Sequence, residues 1–170
     1  MKKLTAVLLL LILMLSFAGC SGEENHPDLK GTPAELIEKL YGWHQEIELP
    51  RVTTDLDLTD QGALEYNLGM TSAEPFSAIS LSESLMGQPY SLILARVKDA
   101  ADAEKTAKAL LESVDTRKWI CMEADTKVAA FYGDVVLFFM VSSEFSDSAT
   151  TDSIAEAFQK LCGGNATIIA

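Results

Sequence analysis

Histidine is nearly missing from this chain. Its 170 residues contain two, His26 and His44. His26 sits in a polar stretch near the N-terminus, so any histidine chemistry would fall to His44 alone. A zinc site built on histidines, or a serine–histidine hydrolase, therefore has little to work with. No nucleophile elbow, P-loop, dinucleotide fingerprint or metal-binding histidine pair occurs. Positive charge is also scarce: 13 Lys and Arg stand against 25 Asp and Glu, a net charge of −12. That balance excludes nucleic-acid binding by counterion release, which needs a basic face. It also sets the chain against anionic lipid head groups. Long apolar runs are limited to one, Leu4 to Phe17. It is short of the roughly 20 residues of a membrane-spanning helix, and no later segment approaches that length.

That run has a definite grammar. Lys2 and Lys3 precede it, and Phe17-Ala18-Gly19-Cys20 closes it. A charged start, a short apolar middle and small residues at the end are the pattern of a signal peptide. The small pair ending in cysteine resembles the lipobox of bacterial lipoproteins. The resemblance implies cleavage before Cys20 and a diacylglyceryl group on its sulfur. Two acyl chains hold a membrane stably where one does so only marginally. The expected organisation is a signal peptide over 1–19, a lipid-anchored polar linker over 20–31 and a single domain over 32–170. The linker, taken as a flexible coil, would span roughly 20 Å. The expected location is the extracytoplasmic side of the cell membrane, with the domain hanging from it.

Two more cysteines, Cys121 and Cys162, lie in the domain. An extracytoplasmic compartment permits a disulfide between them. It would close a loop of about 40 residues and contribute roughly 3–4 kcal/mol. Two buried free thiols, or a reactive or metal-binding pair, are the other readings, and two thiols without a nearby histidine make a poor zinc site. Asp55, Asp57 and Asp60 invite a calcium loop, but the EF-hand spacing fails. Starting at Asp57 places Leu68 where a bidentate Glu is needed. The same acids serve better as turn and cap residues. No metal and no cofactor is expected.

The domain pattern is α+β. Thr32-Pro33-Ala34-Glu35 reads as a capping box with proline at the first helical position, opening a helix that runs to about Gln45. Leu36, Ile37, Leu40, Tyr41 and His44 share its stripe. Arg51 to Asp55 reads as extended. Thr59 or Asp60 caps a short helix, Gln61 to Asn67, stopped by Gly69. Phe76 to Ser82 alternates like a half-buried or edge strand. Met86-Gly87-Gln88-Pro89 turns the chain into a strong strand, Tyr90 to Lys98. Asp99 or Asp102 starts the next helix, with Ala103, Ala107, Leu110, Leu111 and Val114 inward. In the following connection Trp119, Ile120 and Met122 ask for burial.

Lys127 to Ser142 is the clearest hairpin. Gly133-Asp134 fits a type II′ turn and pairs Tyr132 with Val135, Ala130 with Leu137 and Val128 with Phe139. Both faces are apolar, so the hairpin is central. One face lies under helices. The other, carrying Phe131, Val136, Phe138 and Met140, must meet the N-terminal helix, a second copy or a partner, and is the expected interaction face. Ser146-Asp147-Ser148 precedes a helix, Ala149 to Cys162, and Ile168-Ile169 adds a short strand or covers the core. The order is α-ββ-α-ββ-α, an antiparallel sheet of four to five strands in two hairpins with helices packed on it.

From about Pro75 to Leu161 the chain resembles a family of uncharacterised lipoprotein domains from Gram-positive bacteria. The resemblance rests on Ser80-Leu81-Ser82-Glu83-Ser84, on Leu92 to Asp99, on Ala103-Glu104 and on Tyr132-Gly133. It implies a lipid-anchored extracytoplasmic domain and supplies no catalytic residues. The functional expectation is a non-enzymatic binding or protein-interaction domain of unknown ligand. The alternatives are an envelope-complex assembly factor and a hydrolase acting on cell-wall or peptide material.

Overall fold

Thr32 starts the first helix as its side chain chemistry dictates. Its hydroxyl accepts from the Glu35 amide at 3.2 Å, and the Glu35 carboxylate accepts from the Thr32 amide at 2.8 Å. In the computed structural model, which describes residues 29–43, 51–84, 89–144 and 149–170, helix α1 spans Pro33–Gly42. The elements that follow are β1 (Arg51–Asp55), α2 (Gln61–Leu68), β2 (Phe76–Ser84) and β3 (Tyr90–Val97). After a 3-10 turn over Ala100–Asp102 come α3 (Ala103–Ser113), β4 (Thr126–Tyr132), β5 (Val135–Val141), α4 (Thr151–Leu161) and β6 (Thr167–Ile169).

The fold is α+β, with four α-helices among the described residues and one antiparallel sheet of six strands, ordered β1-β2-β3-β5-β4-β6. Both expected hairpins are present. The sheet is larger than the expected four or five strands because β1 and β6 add an edge on each side. This moves β2 inward. It is not an edge strand: β1 pairs with it on one side and β3 on the other. Its buried serines are tolerated because each has a partner. Ser80 donates to Asp55 at 2.6 Å, and Ser82 meets the Tyr41 hydroxyl at 3.2 Å.

The β4–β5 hairpin has the expected register, Tyr132 opposite Val135 and Val128 opposite Phe139. Gly133 takes φ +57° while Asp134 stays at negative φ, as a type II′ turn requires. Strand β5 reads Val-Val-Leu-Phe-Phe-Met-Val and is buried along its whole length. Such a run belongs to a strand covered on both faces.

Two cores result. On one face α1 and α4 cover Tyr90, Leu92, Leu94, Leu137 and Phe139. On the other α2 and α3 cover Ile79, Ile93, Val136, Phe138 and Met140. The period-two alternation of β3 and β5 sends successive side chains to opposite cores. Helix α2 is capped by Asp60, whose carboxylate accepts from the Ala63 amide at 3.0 Å, and ends at Gly69 with φ +65°. Asp99 caps the 3-10 turn. The cap of α4 is Thr150, three residues before Ser153, and not the Ser146–Ser148 stretch. That stretch, the Met86–Gln88 turn, His26 and His44 contain or are residues outside those described.

Candidate binding groove

Among the described residues, three polar clusters and a groove stand out chemically. The first cluster lies at one end of β2 and β3. Lys118 reaches in from the segment after α3 until its side chain is only 2% exposed. Its ammonium donates to Glu83 and to the Ser91 hydroxyl at 3.0 Å, and lies 3.4 Å from the Asn67 amide oxygen. The rings of Tyr66 and Trp119 stand 5.5 and 5.6 Å from it. A serine touching a lysine is the pairing a serine–lysine hydrolase uses. Here the ammonium is committed to a carboxylate, and Ser91 is fully buried and donates its proton to Glu83 at 3.0 Å. The arrangement is a lock between a connecting segment and the sheet.

The second cluster lies under α1. The guanidinium of Arg51 sits 4.0 Å above the Tyr41 ring and pairs with Glu38 at 3.2 Å. Burial pushes the phenols of Tyr41 and Tyr90 above their ordinary value. The Tyr90 hydroxyl is buried without a hydrogen-bond partner among the described residues.

The third cluster holds the incoming chain. Arg96, on β3, forks onto both carboxylate oxygens of Asp134 at 2.8 and 2.6 Å. The same guanidinium donates to the carbonyls of Gly31, at 3.0 Å, and Leu29. The N-terminal approach to the domain is thus pinned at the Gly133–Asp134 end of the sheet.

The groove runs beside α3 at this same end of β3. Met70, Glu74 and Pro75 form one wall. Lys98, Asp102, Lys105, Thr106 and Ala109 complete it, around about 580 Å³. Chain geometry explains the gathering: the Lys98 amide donates to the Pro75 carbonyl at 2.9 Å, which holds the start of β2 against the end of β3. Residues 102, 105, 106 and 109 share a helix face by their spacing of three and four.

The residues singled out from sequence fall in different places. Cys20 lies outside the described residues. Cys121 is exposed and Cys162 is buried in the core under α1 and α4, both as free thiols. The disulfide reading is not what the structure contains, because the two thiols occupy unlike environments. The expected interaction face must also be corrected. Val136, Phe138 and Met140 are fully buried beneath α2 and α3, and Phe131 packs half-buried against the same core. The chain covers this face itself, using the short helix at 61–68. Ile120, expected to be buried, is 89% exposed, whereas Trp119 packs on the second core. Asp55 accepts from Ser80, Asp57 from the amide and hydroxyl of Thr59 at 2.8 and 2.7 Å, and Asp60 caps α2. Among the described residues, no three or more His, Cys, Asp or Glu side chains are grouped to hold a metal ion. No helix among them is long and apolar enough to cross a membrane.

Sequence reasoning missed Thr106. It lies on the inward stripe, three residues after Ala103 and four before Leu110, and is 4% exposed. A polar residue on an otherwise apolar stripe was the available signal. The chain matches no family model, no curated protein and no solved structure.

Proposed function

We propose that this chain is a lipid-anchored extracytoplasmic binding domain that works by binding and not by catalysis. The sequence support for the anchor is Lys2-Lys3, the apolar run and Ala18-Gly19-Cys20, read together as a lipoprotein signal. The observation that carries the binding role is the groove beside α3. Its size falls in the range of small-ligand sites, and it combines apolar walls with a few charged groups. The serine–lysine contact elsewhere has no free hydroxyl to offer a substrate.

Position adds to the reading. Only residues 21–28 separate Cys20 from Leu29, which Arg96 holds at the end of β3. Lys98 of the groove follows two residues later. A tether at Cys20 would keep the groove at the membrane-proximal end of the domain. A test is metabolic labelling with a fatty-acid probe, comparing wild type with Cys20→Ala, followed by cross-linking in intact cells. The expected outcome is label on the wild type alone and cross-linked species that disappear in the variant. An unlabelled wild-type chain would refute the anchor.

A further inference from the structure

Strand β1 ends the sheet: among the described residues no strand lies beyond it. Its backbone is set for a further neighbour. The Leu56 amide donates to the Ile79 carbonyl at 2.9 Å, continuing the pairing of Asp55 with Ser80. Backbone direction alternates along a strand, so residues 52, 54 and 56 bond towards β2. Arg51, Thr53 and Asp55 therefore aim their N–H and C=O groups outward, and no backbone hydrogen bond among the described residues engages them on that side. Their side chains share the face under α1: Arg51 stacks on Tyr41, Thr53 donates to Glu38 at 3.3 Å and Asp55 accepts from Ser80. Asp55 is exposed and is in no ion pair among the described residues. Val52, on the opposite face, is 45% exposed. The other edge, β6, is only Thr167–Ile169 and carries no charged side chain.

We propose that β1 is a self-pairing edge, through which a second copy of this chain extends the sheet. About a twofold axis at Thr53, Arg51 lies opposite Asp55 of the second copy, and Asp55 opposite its Arg51. Thr53 faces Thr53, and Val52 packs beside Thr54. The outward groups of residues 51, 53 and 55 then meet as hydrogen-bonded pairs, each exchanging two N–H to C=O bonds. The charges choose this partner and this register. Centring the pairing on residue 51 or 55 instead sets Arg51 against Arg51 or Asp55 against Asp55, and a parallel pairing also sets like charges side by side. An unrelated peptide meets the same backbone groups without the matched ends. Five residues a side make a contact of the weak, transient class, with a dissociation constant of about 10 μM to 1 mM. Neither the groove nor the Cys20 anchor takes part in this contact.

The test uses the full-length chain in detergent, read by sedimentation and by disulfide cross-linking. Sedimentation should show a monomer–dimer equilibrium. Thr53→Pro deletes an outward N–H from each copy and leaves the bonds to β2, so it should weaken association about tenfold or more. Asp55→Asn keeps an acceptor for Ser80 and should weaken it about fivefold. For cross-linking, Cys20→Ala and Cys121→Ala leave only the buried Cys162. Thr53→Cys in that background should form the dimer disulfide readily under mild oxidation, because residue 53 faces its own copy at about 5.5 Å between Cα atoms. Asp55→Cys lies about 14 Å from its own counterpart and should cross-link about tenfold more slowly or less. If Thr53→Pro does not fold, Asp55→Asn and the cross-linking order decide. A monomer at about 1 mM, a dimer untouched by folded Thr53→Pro or by Asp55→Asn, or equal cross-linking at 53 and 55 would overturn the proposal.

Discussion

A methyl group added to Gly69 would stand 1.9 Å from the carbonyl oxygen of Ser113. The end of α2 is pressed onto the end of α3 there, and the Ser113 hydroxyl donates to the Leu68 carbonyl at 2.6 Å. Gly69 also holds φ +65°. Gly69→Ala therefore combines backbone strain with a clash against main chain that has no rotamer to yield. It should cost about 3 kcal/mol or more. Gly133→Ala has the same sign of φ but open space around it, and should cost about 1 kcal/mol. Urea denaturation of the two variants checks the order.

Lys118 and Glu83 should show strong coupling. Removing either leaves a charge near the sheet end without its partner. With Glu83 about a third exposed, Lys118→Met and Glu83→Gln should each cost about 2 kcal/mol, below the range of wholly buried pairs. The double variant should cost less than the sum by about 1–2 kcal/mol. A double-mutant cycle in urea measures this, and strict additivity would contradict the lock.

The thiols should differ in reactivity. Cys121 is exposed, so iodoacetamide should modify it in the native state at pH 8. Burial pushes the Cys162 thiol up to about 12, so it should react only after unfolding. The raised value has a sign for stability. Above pH 9 the unfolded chain ionises this thiol while the folded chain keeps it protonated. Stability is fully present below pH 9 and falls by about 1.4 kcal/mol per pH unit on approach to 12. The raised phenols of Tyr41 and Tyr90 push in the same direction from about pH 10 upward. Cys162→Ala should flatten the first part of the decline, read as thermal midpoints between pH 8 and 10.5.

Arg96 should govern access to the N-terminal approach. Arg96→Ala removes its donors to Leu29 and Gly31 and the fork to Asp134. Global stability should drop by about 1 kcal/mol, but trypsin cleavage after Lys30 should accelerate several-fold. Arg96→Lys keeps the charge but replaces the three nitrogens that donate to Asp134, Gly31 and Leu29 with one, and should fall between. Equal cleavage rates in all three proteins would mean that the clamp does not hold.

Much of the local structure was legible because short-range chemistry decides it. Thr32 with Glu35, Asp60 with Gly69, and Gly133-Asp134 each specify an end or a turn through hydrogen bonds and φ within a few residues. The two-sided apolar pattern of Val135–Val141 correctly placed that strand at the centre. What covered its second face was not legible. Helix α2 is eight residues long with three buried residues, Leu64, Asn67 and Leu68, too few to advertise a core layer. The edge alternative for β2 failed for a related reason. Ser80 and Ser82 look like edge residues until Asp55 and Tyr41, distant in sequence, supply their partners. Of the groove, Lys98 and Lys105 were visible as charges on an outer end and a wet face. Their neighbours at Glu74 and Met70 arrive through the Pro75–Lys98 bond, a contact of the folded sheet.

The two cores are assembled from different parts of the chain. Residues 61–141 supply both the strands and the helices of the second core. The first needs α1 and α4, the earliest and latest helices of the described domain. During synthesis or export, one side of the sheet can therefore be sealed while the other still awaits its lid. Until Ile154 and Phe158 arrive, Leu137 and Phe139 lie bare on that side, a surface prone to sticking to neighbouring chains. A chain ending before Thr150 should bind the dye ANS strongly and aggregate, and a separately added 149–170 peptide should suppress both.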